Sequence, residues 1–207
     1  MKKNFIKIFV AIALSAVCVL CVTACSDPGS ATGGASGSAT GGASYVTDEF
    51  DIYLNINGID GESKDNKHDR WIDVITFSHG SEQSVQTGSP DATGRGIFDP
   101  FTFKHKVDKA TPKIQEQCMK GGKIKSAELH VTKSIAGQKE VVYKVKLEDC
   151  KIVSALVESE TDANGKVQLV ETVKILANKI TWTVTSVGLD NTLGGNTEAV
   201  FDQTKKT

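Results

Sequence analysis

The chain lacks the usual marks of an enzyme. No glycine-rich loop precedes a helix to cradle a phosphate, and no Gly-x-Ser-x-Gly turn presents a nucleophile. Histidine is scarce, with His68, His79, His105 and His130 the only four. None has the helical spacing of a zinc pair, and none stands beside a carboxylate or thiol in a metal-binding pattern. Asp60, Glu62, Asp65 and Asp69 crowd one stretch, but without the alternating oxygen spacing of a calcium loop. They read as a charged turn. No catalytic, metal or cofactor set follows from the sequence.

Basic clusters are missing too. The net charge is −1, or −4 without the three lysines of residues 1–24. Lys120, Lys123 and Lys125 are the densest positive group and read as a solvated strand entry. A nucleic-acid partner is therefore excluded on charge. Of five cysteines, Cys18 and Cys21 lie in the apolar N-terminal run, and Cys25 ends it. Cys118 and Cys150 remain. They could pair in an oxidising compartment, whereas a cysteine on the apolar face of a helix more often acts as a small buried hydrophobe.

What is present begins with an export signal. Lys2, Lys3 and Lys7 precede an apolar run over 8–22 that is short for a membrane span. Val22-Thr23-Ala24-Cys25 resembles a bacterial lipobox. An uncleaved anchor or an ordinary signal with a chance cysteine is the plainer alternative. The tripeptide, its depth in the chain and the tether after it favour Cys25 as a lipid attachment site. The expected location is extracytoplasmic, lipid-anchored to a bacterial membrane (Ser26 after the cysteine favours the outer one) or secreted. Residues 25–44 repeat SATGGAS twice and offer nothing for a core, so they read as a linker.

The remaining chain alternates apolar and polar residues with the period of two that half-buried strands require. Candidate strands run over 50–57, 71–77, 101–106, 125–133, 139–148, 152–159, 166–175 and 180–185. Asn164-Gly165 between two of them is a strong hairpin signal. Thr111-Pro112 opens the one helix, with Thr111 as its cap, Ile114, Cys118 and Met119 on its apolar face, and Gly121-Gly122 ending it. Residues 79–97 show no periodicity and predict a long loop. After 185 the polar, Gly-rich chain predicts a flexible tail. The fold class is all-β, a β-barrel of two packed antiparallel sheets with one flanking helix, over 45–185.

Three segments resemble one family. The run 103–112, with Lys106, Asp108, Lys109, Thr111 and Pro112, followed by Cys118 and Gly121, resembles the central motif of the haemolysin-coregulated protein (Hcp) family of type VI secretion. Phe50–Ile56 with 58–65, and 72–75 with 77–80, resemble that family's first two strands and the turns after them. The resemblance implies a ring-forming subunit, rings stacked into a tube, and partners among spike, sheath and effector proteins. It also implies that the 79–97 loop contacts neighbouring subunits, with Ser81, Glu82, Gln83, Ser84, Gln86 and Arg95 as candidate contacts, and that a buried cysteine at position 118 is common. Family tubes are loaded from the cytoplasm, which an exported, lipidated chain does not fit easily. The alternative is a tethered binding or adhesion module that keeps the barrel outside secretion; an enzyme is a distant third.

Overall fold

The computed structural model describes residues 49–85 and 92–205. The expected signal over 1–24 and the whole 25–44 linker, with Cys25, lie outside these residues, as does Gln86. Nine strands and one helix follow in the order β1 (Phe50–Ile56), β2 (Ile72–Ser78), β3 (Ser81–Val85), β4 (Ala92–Phe98), β5 (Phe101–Lys106), α1 (Thr111–Lys120), β6 (Lys123–Ile135), β7 (Gln138–Thr161), β8 (Val167–Val187) and β9 (Leu193–Asp202).

Seven strands form one antiparallel sheet, β5-β2-β1-β6-β7-β8-β9, and a further pairing of β5 with β8 closes six of them into a barrel. The seam runs from Phe101 opposite Ile175 to Lys106 opposite Val170. Leu54, Ile56, Phe101, Phe103, Leu129, Val145, Leu147, Ile152, Val173 and Ile175 point inward and are all buried. Alternation thus decides the inner wall, and closure covers the edge that β5 would otherwise present, leaving β9 as the edge strand of the sheet.

The helix forms where expected, with a different N-terminus. Thr111 is its first residue and Ala110 the cap. Thr111 contributes from inside the helix: its Oγ1 accepts the Asp108 amide at 3.4 Å, while Asp108 Oδ1 accepts the Ala110 amide at 2.9 Å. Gly121, left-handed at φ 61°, closes the other end. Ile114 is fully buried and Cys118 packs against the core, but Met119 is 87% exposed and lies off the apolar face. Cys118 and Cys150 are both free.

Three expectations are corrected. The long loop at 79–97 contains a two-stranded hairpin, β3 with β4. The flexible tail contains β9, whose residues from Leu193 to Asp202 pair along β8. Four separate strands, 139–148, 152–159, 166–175 and 180–185, are two long ones. β7 passes through Asp149 at φ 53° and an irregularity near Ile152, which bend the strand without ending it.

Candidate assembly surfaces and polar networks

The family-motif segment is built into the barrel's end. β5 turns Phe101, Phe103 and His105 inward, each almost wholly buried. His105 Nε2 meets Glu171 Oε2 of β8 at 2.9 Å, and Glu171 Oε1 accepts Gln115 Nε2 of α1 at 2.6 Å. Both His105 and Glu171 are fully buried. Polar groups are buried at little cost only when hydrogen-bonded, so this His–Glu–Gln link ties the helix to the seam. Burial pushes the Asp108 carboxyl above the ordinary carboxylate range, partly offset by the Ala110 amide. Lys106 points to solvent, and the Lys109 amide donates to Glu62 at 3.2 Å. Of the motif residues, Asp108, Thr111 and Pro112 therefore shape the helix entry.

The β3–β4 hairpin leaves Ser81, Glu82 and Gln83 exposed; Ser84 and Arg95 lie in its two strands. Phe98, at its base, is buried, with its ring against those of half-buried His79 and Trp182. A groove of about 410 Å³ separates the hairpin from β9, lined by Gln83, Ile97, Phe98, Trp182, Val200 and Phe201 among others. At the opposite end of β7 and β8, Leu156, Val167 and Leu169 are each more than half exposed. The register places Val167 and Leu169 on one face of this ribbon and Leu156 on the other, so apolar side chains are exposed on both faces.

A second histidine network lies on the barrel's outer wall. The 57–71 loop folds back over β1, held by Gly61 N to Arg70 O, Ser63 N to Trp71 O and Arg70 N to Ser63 O. Gly61 must be glycine, since a Cβ there would sit 2.3 Å from the Trp71 carbonyl oxygen. The loop brings His68 flat onto Tyr53, ring centres 4.2 Å apart, with Trp71 edge-on. His68 Nδ1 meets Asp65 Oδ1 at 2.7 Å, His68 Nε2 meets His130 Nδ1 at 2.9 Å, and His130 Nε2 meets Glu128 Oε1 at 2.8 Å. Burial holds His68 below the ordinary imidazole range. Burial alone would raise Asp65, but bonds from His68, the Lys67 amide and Lys139 outweigh it and hold the carboxyl at about 2. The bond from His130 holds Glu128 low as well.

His105 lies on β5 and His130 on β6. They are not neighbours, because β2 and β1 lie between β5 and β6, and each has a carboxylate. Glu128 stands two residues before His130 in the same strand, whereas Glu171 reaches His105 only through strand pairing and His68 reaches His130 only through the return of the loop. Among the described residues, no group of three or more His, Cys, Asp or Glu is arranged to hold a metal ion, and no helix is long and apolar enough to cross a membrane.

The described residues thus form a closed six-stranded antiparallel barrel with one short helix packed on its core. Comparison with known proteins gives the family. The model for "Type VI secretion system effector, Hcp" matches residues 53–184, and the chain belongs to the Hcp family. Among solved structures, one described as a type six secretion system protein superposes with a TM-score of 0.66 at 22% identity, covering 74% of this chain and 96% of the other. Hcp1 from Salmonella typhimurium gives 0.60 at 24% identity, covering 74% and 94%. The secreted protein Hcp3 from Pseudomonas aeruginosa gives 0.53 at 21%, covering 76% and 100%. These likenesses are of fold. No curated protein matches the chain.

Proposed function

We propose that this chain is an Hcp-like ring subunit, exported and lipid-anchored through Cys25, whose work is structural and binding rather than catalytic. The observation that carries the reading is the family match over the closed barrel. Exposed Leu156, Val167 and Leu169 on the β7–β8 ribbon, with the hairpin residues Ser81, Glu82 and Gln83, are the surfaces through which copies of the chain would meet. A symmetric ring is a closed heterologous arrangement of such surfaces. Spike, sheath or effector proteins of a secretion machine are the further partners this role implies. The domain over 45–207 should sediment and scatter light as a ring at micromolar concentration; a strict monomer there would remove the ring role and leave the fold standing.

Residues 1–24 followed by Cys25 favour a second reading. A lipidated copy is poorly suited to a tube loaded from the cytoplasm, so the barrel could serve instead as a binding or adhesion module held off the membrane by the 25–44 linker. Labelling with a fatty acid should mark the wild type and spare Cys25→Ser. Equal labelling of the two would end the lipoprotein reading and return the chain to the secretion role.

A further inference from the structure

The outer-wall chain Asp65–His68–His130–Glu128 poses a counting problem. Both terminal groups are carboxylates held ionised at neutral pH, so each can only accept. His68 must therefore donate from Nδ1 to Asp65, and His130 from Nε2 to Glu128. A neutral imidazole has a single N–H. If both rings were neutral, those two protons would be spent outward, and His68 Nε2 would face His130 Nδ1 at 2.9 Å with a lone pair on each. Two fully protonated rings would instead set two N–H groups against each other. The observed contact closes with one additional proton, and with neither zero nor two.

We propose that His68 and His130 form a proton-binding site that holds one proton across their contact and thereby latches the 57–71 loop onto the barrel wall. The proton rests on His130, which then donates to both Glu128 and His68, while buried His68 stays neutral and donates to Asp65. The surroundings suit one positive charge between two negative ones. From β1, Tyr53 stacks on His68 and Asp51 lies beyond it. From β7, Lys139 reaches Asp51 at 2.7 Å, the Tyr53 hydroxyl at 2.8 Å and Asp65 at 3.4 Å. Lys144 lies 3.7 Å from Glu128, with Lys146 also acting on it. Lys67 ties the loop to Glu140 at 3.2 Å. These lysines offset the carboxylates without touching the histidine contact.

The loop is then closed only within a band of pH. Alkali removes the shared proton and leaves two lone pairs in contact; acid adds a second proton and sets two cations face to face. Because Glu62 of this loop accepts the Lys109 amide, opening would also free the helix entry at Asp108. Both consequences can be read on the full-length protein labelled with nitrogen-15. Two-bond proton–nitrogen spectra between about pH 5 and 9 report which ring nitrogens carry protons. Within the closed band His130 should show both nitrogens protonated and His68 only Nδ1. Protection of the Ser63 and Arg70 amides, each exchange rate taken against the intrinsic rate at the same pH, should be highest there and lower by about tenfold or more on either side. In His130→Gln the alkaline loss of protection should vanish. Two neutral rings at a pH where Ser63 and Arg70 remain protected, or a flat protection profile, would overturn the proposal. The ring spectra of the wild type decide it even if the variant does not fold.

Discussion

Along one edge of β8, the stretch paired with β5 and the stretch paired with β9 are built from different material. Where β5 pairs, Phe101, Phe103 and His105 face Ile175, Val173 and Glu171, and all six are buried. Where β9 pairs, the strand brings Gly194, Gly195, Asn196 and Val200, nearly all exposed. The backbone ladder is the same in kind; the burial is not. Hydrogen bonds exchanged with water contribute about 1 kcal/mol net each, whereas a buried aromatic or aliphatic side chain contributes about 1.5–3 kcal/mol. The seam therefore holds the barrel, and β9 leans on it.

Core truncation tests the contrast most severely. Phe103→Ala should cost about 3–5 kcal/mol and Ile114→Ala about 2–5 kcal/mol in denaturant unfolding. Should Ile114→Ala leave the midpoint in place, the helix would not be packed against the barrel as described. On β9, Val200→Ser should stay within about 0.5 kcal/mol, and a loss as large as that of Phe103→Ala would erase the distinction between the two stretches.

Acid gives an intermediate effect and separates the outer wall from the seam. His68 and His79 are both held below the ordinary value of 6.5 by burial. An unfolded chain takes up protons there that the folded chain refuses, so stability should fall as pH drops below 6.5. Asp65 moves from 3.8 to about 2, so its contribution is present above 3.8 and is lost as pH falls from there through 2. Thermal midpoints between these limits should decline in two stages, and Asp65→Asn should remove the second. A midpoint that rises on acidification would contradict these assignments.

The smallest effect is expected at Glu116, held at about 2 by Lys120 and Lys113 on the solvent face of α1. Glu116→Ala should leave the unfolding midpoint nearly unchanged. If light scattering nevertheless showed smaller assemblies, the helix face would be a subunit contact.

The same contrast explains what could be read in advance. β1, β2, β5 and β6 bury alternate side chains, so their periodicity announced them, and Asn164-Gly165 announced the β7–β8 turn, with Gly165 at φ 78°. Among the described side chains of β3 and β4 only Phe98 is buried, and β9 is exposed along most of its length, so no pattern distinguishes either from loop. The continuity of β7 was hidden because Asp149 and the turn-like residues beside it bend a strand that pairing with β6 and β8 carries through. The family motif was legible as sequence, but its chemistry was not. His105, Asp108 and Gln115 acquire their partners from β8 and from the helix entry. The histidine chain was least legible, since it joins residues from a loop and a strand 62 positions apart.

The order of pairing along the sequence has a kinetic consequence. β6, β7 and β8 follow one another as hairpins, and each can close on its neighbour without a long excursion. β1 waits for β6, and β5 waits for β8. A chain made from its N-terminus thus releases β1, β2 and β5 well before the strands that cover them exist. Until β8 emerges, the aromatic face of β5 has no wall to meet. The interval before closure is when this barrel is most open to misassociation, and truncation after α1 should yield an insoluble product.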